Sequence, residues 1–162
     1  MSDSTLQAAG VVLEARQIIG FIPHRLPALL VQRVTILDEQ RARGTMRVGH
    51  RVCDGHFPEH EIFPGHWWPE LAAQTVGVMI GHDRGGQVNG WLHKFTVEVI
   101  KPAAPGDTLV VEVVLTRVSR ASIEYAAQGF VNDELAYYGP LNICVLARRR
   151  AAASPLPQPA PA

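Results

Sequence analysis

The chain has 162 residues, enough for one domain whose hydrophobic core needs no disulfide or metal to hold it. Fifteen basic residues balance fifteen acidic ones, so the molecule lacks the global field that marks nucleic-acid and membrane-surface binders. Its two cysteines, Cys53 and Cys144, are too few and too far apart for a secreted disulfide scaffold or a four-cysteine zinc site, and both are read as reduced thiols. The N-terminus has no basic stretch followed by an apolar one, and nowhere do about 18 apolar residues run together. The expectation is a cytoplasmic protein with no nucleic-acid partner and no membrane association.

Residues 1–9 read as a disordered N-terminus, 10–150 as a single domain, and 151–162 as an Ala/Pro-rich disordered tail. From Val11 to Ile19 the apolar spacing approximates a helical stripe. Pro23 and Pro27 force the next stretch to be extended or turned. Leu29 to Leu37 and Ala42 to Val48, separated by D-E-Q-R, read as an antiparallel hairpin. A loop containing His56 leads to a Pro64-Gly65 turn and a helix from Trp67 to Ile80, apolar nearly all round after Glu70 and therefore buried on most sides. Pro69 is tolerated in its first turn, and Gly81, Gly85 and Gly86 end it. Four long strands follow, Trp91 to Ile100, Asp107 to Val118, Ser122 to Val131 and Leu135 to Leu146, divided by turn-forming residues. A single long apolar helix is buried by one sheet only if the sheet curls around it, which makes the fold class α+β.

The chemistry concentrates between Asp54 and Gln74. His56 sits in a Gly/Pro-bounded loop, and Glu70 is the one acidic side chain of the expected helix. Each also has a structural reading: His56 as a capped loop histidine, Glu70 as a first-turn acid favoured by the helix dipole. Cys53, His56, His60 and His66 fall within fourteen residues, but the Phe57-Pro58 break and the spacing fit no standard zinc site, so no metal is expected. Trp67, Trp68 and Trp91 are read equally as core or as rigid walls of a binding site.

Five runs in order carry a resemblance: I-P-H-R-L-P-A-L-L-V-Q-R-V at Ile22–Val34, G-H-F-P at Gly55–Pro58, F-P-G at Phe63–Gly65, E-x-x-A-Q at Glu70–Gln74 and K-P-A-A-P-G-D at Lys101–Asp107. Together they resemble the β-hydroxyacyl-acyl carrier protein dehydratases, over roughly Ile19 to Ala147. The resemblance implies a hotdog fold, a curved antiparallel sheet wrapped around one long central helix, and a homodimer joined edge to edge, often as a trimer of dimers. It further implies active sites at the dimer interface, where the histidine of one subunit meets the acid of the other. By motif the catalytic pair is His56 and Glu70, with backbone N–H groups of Gly65 and His66 at the thioester carbonyl. Phe57, Phe63, Trp67, Trp68 and Gln74 are the candidate substrate-contacting residues. The chain departs from the family in H-W-W-P at His66–Pro69, in Glu59 and Glu61, in Gln32, and in G-W-L-H-K-F after the helix.

The implied reaction removes water from a 3-hydroxyacyl thioester on acyl carrier protein or coenzyme A, with no cofactor beyond the substrate's own phosphopantetheine. Neutral imidazole, with an ordinary pKa of about 6.5, can take the C2 proton. A carboxyl among Trp67, Trp68 and Leu71 is expected to be pushed toward its protonated form and to donate to the departing hydroxyl. Gln74, one turn after Glu70, can orient that carboxyl or a water. Glutamate at this position favours dehydration alone, and H-W-W-P leans toward a specialised, polyketide-like pathway over fatty acid synthesis. Two other readings stay open: an acyl thioesterase on the same fold, and a non-catalytic acyl-thioester binding protein whose tunnel the tryptophans plug. Arg148 to Arg150 can face an acyl carrier protein or simply solvent.

Overall fold

A computed structural model describes residues 10–146; the terminal segments and Arg148–Arg150 discussed above lie outside the described residues. Strand β1 (Val11–Glu14) runs into a single helical turn, α1 (Ala15–Ile18), and then into the hairpin of β2 (Arg33–Ile36) and β3 (Arg41–Arg47). A second single turn, α2 (His50–Cys53), precedes the long helix α3 (Trp67–Asp83). Strands β4 (Gly90–Phe95), β5 (Glu98–Val99), β6 (Thr108–Val118), β7 (Ile123–Val131) and β8 (Glu134–Val145) complete the described chain. The strands form one antiparallel sheet in the order β1-β2-β3-β6-β7-β8-β4, with β5 pairing β8. Helix α3 packs on β3, β6 and β8 inside the curl of that sheet, which is the hotdog arrangement.

The sheet's period of two is what builds the core. On β6, Leu109, Val111 and Val113 are buried while the residues between them face outward; Tyr125, Ala127 and Val131 do the same on β7. These side chains close on Leu71, Ala72, Val76 and Val78 of α3. Close approach needs small residues on the sheet. A Cβ at Gly44 would lie 2.0 Å from Thr75 Oγ1, and one at Gly129 would lie 2.5 Å from the Trp68 ring. Asn132 and Asp133, both at positive φ, close β7 onto β8 as a two-residue turn between the paired Val131 and Glu134.

The expected hairpin, central helix and last three strands match the structure to within a few residues. Three expectations are corrected. Val11–Ile19 is not one helix: branched Val11 and Val12 pair with Ile36 and Thr35 on the sheet edge, and only Ala15–Ile18 is helical. Trp91–Ile100 is not one strand. Its partner β8 carries Pro140, which accepts from the Thr96 N–H at 3.0 Å but has no N–H to return, and the ladder splits into β4 and β5. Gly81 does not end α3, which continues to Asp83, so Glu70 is not its only acid; Gly81 lets Phe21 pack against the helix.

Trp68 is stacked on Tyr137 with ring centres 5.3 Å apart and meets Phe63 edge-on at 5.9 Å. Gly129 supplies the space. Gly129→Ala is expected to lower stability by about 1–3 kcal/mol through overpacking, read as a lower midpoint in thermal or urea unfolding.

Candidate active site

The His56 loop is shaped by its backbone. Gly55 has φ +72°, a left-handed conformation that glycine adopts without penalty, and Phe57 follows at φ +60°, where a bulky residue costs on the order of 1–3 kcal/mol. The Phe57 ring lies against the imidazole, centres 4.5 Å apart. His56 is half-buried, and its Nδ1 stands 2.8 Å from the Ile62 carbonyl. A carbonyl only accepts, so Nδ1 carries the proton and donates, and in the neutral ring Nε2 is left as the basic nitrogen. His56 lines a cavity of about 470 Å³ whose walls include Pro27, Leu30, Val52, Pro64 and Trp67.

Helix α3 starts directly beyond the Pro64-Gly65 turn, with His66 as its exposed N-cap. The Trp67 and Trp68 amides already donate to the Pro64 and Gly65 carbonyls, at 2.9 and 3.2 Å. Among the described residues, the amides of Gly65 and His66 donate to no other group of the chain. They are orphan donors at the positive end of a 17-residue helix. Gly65 also lies close to β5: an added Cβ would meet Val99 Cγ2 at 3.0 Å.

Glu70 lies in the first turn of α3 with its side chain 28% exposed. Its Oε1 accepts from Gln74 Nε2 at 2.8 Å and lies 3.3 Å from His24 Nε2. Burial raises its pKa and is the largest single cause; the hydrogen bonds from His24 and Gln74, with the neighbouring His24 ring, together outweigh it and hold the carboxyl below its ordinary value. This corrects the expectation of a carboxyl pushed toward protonation. His24, the partner that sequence reasoning passed over, stands inside the matched I-P-H-R run, but nothing in that run signals contact with a residue 46 positions on. Its Nδ1 is buried without a hydrogen-bond partner among the described residues.

Gln74 is 1% exposed, and its amide is used up within the chain. Oε1 accepts from the Leu30 and Val31 amides at 2.9 and 3.2 Å, while Nε2 donates to the Ala28 carbonyl at 2.8 Å and to Glu70. It ties Glu70 to the 28–31 segment. Phe63 and Trp68 are likewise packed in the core, 3% and 1% exposed. Phe57 and Trp67 line cavities, and Trp91, half-exposed on β4, lines the cavity that Glu70 opens into. Cys53 is buried and Cys144 partly so, both free, and burial raises the Cys53 thiol's pKa. Among the described residues no three His, Cys, Asp or Glu side chains converge on a common point.

Within one chain His56 and Glu70 face different spaces. Glu70 opens into a cavity of about 280 Å³ with His24, Ala73, Gly77 and Leu92, and shares no wall with the His56 cavity. A larger cavity, about 540 Å³, lies toward the C-terminal end of α3 and touches neither residue.

Gln74→Leu leaves the Leu30 and Val31 amides and the Ala28 carbonyl without their buried partner, at about 1–3 kcal/mol each, so a loss of at least about 2 kcal/mol is expected in urea unfolding. The depressed Glu70 pKa means that this carboxylate contributes stability above its unfolded value and loses it as pH falls through the lower folded value. The stability difference between the native chain and Glu70→Gln therefore shrinks on acidification through the carboxylate range, measured by unfolding midpoints across pH.

Comparisons with known proteins place the chain among its relatives. The FabA-like domain family matches residues 22–139. The 3-hydroxyacyl-(acyl-carrier-protein) dehydratase FabZ of Haemophilus ducreyi is 34% identical over 132 residues, which is 77% of this chain and 86% of that protein. FabZ of Clostridioides difficile is 33% identical over 135 residues, 80% of this chain and 95% of the relative. Among solved structures, the dehydratase heterocomplex ApeI:P from Xenorhabdus doucetiae superposes with a TM-score of 0.71 at 17% identity, over 81% of this chain and 91% of that one. The PaaI protein of E. coli does so at 0.54, also 17% identical, over 66% and 77%. At such identity the structures establish the fold, while the sequence matches establish the family: the chain belongs to the FabA-like family of 3-hydroxyacyl-acyl carrier protein dehydratases.

Proposed function

We propose that this protein is a hydro-lyase that converts a 3-hydroxyacyl thioester, carried on acyl carrier protein, into the trans-2-enoyl thioester, in fatty acid or polyketide-like synthesis. The observation that carries the reading is the pair of differently prepared groups: His56, with Nδ1 tied to the Ile62 carbonyl and Nε2 left basic, and Glu70, held between Gln74 and His24. Nε2 takes the C2 proton. Electron density moving onto the thioester oxygen meets the Gly65 and His66 amides, and the C3–O bond breaks as Glu70 gives its proton to the departing hydroxyl, releasing water. No cofactor beyond the phosphopantetheine arm enters these steps.

The two groups meet across a homodimer in this reading. β4 is an edge strand of the described sheet, and it carries Trp91 and Phe95 at 51% and 47% exposure, with Val99 and Ile100 exposed just beyond. These exposed apolar side chains lie on an open sheet edge, and pairing with a second β4 would cover them. The same pairing brings a partner's His56 loop toward Glu70. Donation to the departing hydroxyl uses the protonated form of Glu70, which the Gln74 and His24 contacts disfavour in the single chain. A trimer of dimers is the larger assembly consistent with this reading. No helix among the described residues is long and apolar enough to cross a membrane, and we place the enzyme in the cytoplasm, where its two thiols stay reduced.

His56→Ala and Glu70→Gln are each expected to lower turnover by roughly a hundred- to ten-thousand-fold while the dimer persists on gel filtration. Unfolding and refolding the two variants together gives mixed dimers in which one site is intact, so roughly a quarter of native activity returns if sites are shared across a two-fold interface. Activity that stays at the level of the separate variants, with mixed dimers present by mass, contradicts the shared site.

A further inference from the structure

The cavity that Glu70 opens into follows one face of α3. Glu70, Ala73, Gly77 and Ile80 succeed one another at spacings of three and four, so they line the same side of the helix, with β4 and β8 opposite. At 1.5 Å per residue the step from Glu70 to Ile80 covers about 15 Å. Ala73 and Gly77 carry little or no side chain, and the wall between Glu70 and Ile80 is otherwise apolar. Ile80 is 8% exposed and also lines the larger cavity of about 540 Å³, whose inner wall includes Met79, Leu115, Ile123 and Tyr125. One isoleucine therefore stands between a channel that begins at the acid and a second space beyond it, whose lining is apolar at Met79, Leu115 and Ile123 and charged at Asp38, Glu39, Asp83 and Arg84.

We propose that Ile80 is the stop that sets the longest acyl chain this enzyme accepts, a specificity role that rests on the dehydratase reading of the Glu70 site. With Glu70 at the C3 hydroxyl, the chain beyond C3 runs past Ala73 and Gly77 and ends against Ile80. Three backbone bonds span at most about 3.6 Å in an extended polypeptide, roughly 1.2 Å per bond, so about 15 Å holds on the order of ten carbons beyond C3. The substrate class is a medium-chain 3-hydroxyacyl thioester. Shortening Ile80 joins the channel to the second cavity and lengthens the accepted chain; enlarging Ala73 fills the channel and shortens it.

The test presents 3-hydroxybutyryl, 3-hydroxydodecanoyl and 3-hydroxyhexadecanoyl carrier-protein thioesters together in one mixture and reads the ratios of dehydrated products by intact mass. The native enzyme is expected to use the dodecanoyl chain well and the hexadecanoyl chain poorly. Ile80→Ala should raise the hexadecanoyl-to-butyryl ratio roughly tenfold or more, and Ala73→Leu should lower the dodecanoyl-to-butyryl ratio by a similar factor. Because the second variant adds volume to a cavity, it keeps the test open even if Ile80→Ala unfolds, which circular dichroism reports. Butyryl turnover with both ratios unchanged in the folded variants overturns the stop, as does a native enzyme that uses hexadecanoyl and dodecanoyl chains equally. No dehydration at any length removes the underlying reading, and the stop with it.

Discussion

The buried amide of Gln74 is the interaction on which the rest of the site depends. A primary amide has two donors and an accepting oxygen, and here they join three parts of the molecule: the 28–31 segment, helix α3 and the Glu70 carboxyl. The segment has irregular backbone, so its polar groups need partners from outside the sheet, and a glutamine projecting from the central helix supplies them. Because Leu30 also walls the His56 cavity, the same clamp reaches toward the second candidate group. A hydrophobic residue would fill the volume but leave the segment unpaired and the acid free to rotate.

Around that clamp the chain divides its chemistry. The histidine loop takes its shape from two departures from ordinary backbone on either side of His56, at Gly55 and Phe57, and points its basic nitrogen away from the Ile62 carbonyl. The acid lies on the helix, in a separate cavity lined by β4 and β8. An enzyme that must move protons at adjacent carbons needs the two groups within a few ångströms of one substrate, and the single chain does not bring them into one space. In the proposed reading, the open edge at β4 and the separation of His56 from Glu70 are two aspects of one incompleteness, and a second copy would resolve both.

Much of the fold was legible because its long elements obey simple periods. The central helix was recognisable from unbroken apolar content after Glu70, and β6, β7 and β8 from branched residues between turn signals. Val11–Ile19 was misread because a short edge strand followed by one helical turn imitates a helical stripe, and the pairing that decides it comes from Thr35 and Ile36. The break between β4 and β5 depends on Pro140, a residue on a different strand. In the site, the motifs singled out His56, Gly65 and Glu70, but His24 was invisible as a partner because local sequence says nothing about a contact across 46 residues. The sign of the Glu70 shift was missed for the same reason: the apolar neighbours were visible and the two hydrogen-bond donors that outweigh them were not. Phe63 and Trp68 were recognised as large aromatics, yet only Gly129 and Tyr137 show that they belong to the core.

Reversible hydration tests the central claim most directly. The purified protein is incubated with a trans-2-enoyl thioester on acyl carrier protein in water enriched in oxygen-18, and the intact carrier is weighed. The account predicts a gain of one heavy water, lost again on dilution into ordinary water, with neither change seen for His56→Ala. Appearance of the free carrier thiol would identify hydrolysis instead, and an unchanged mass with the acyl carrier bound would identify a binding protein; either result contradicts a dehydratase built on His56 and Glu70.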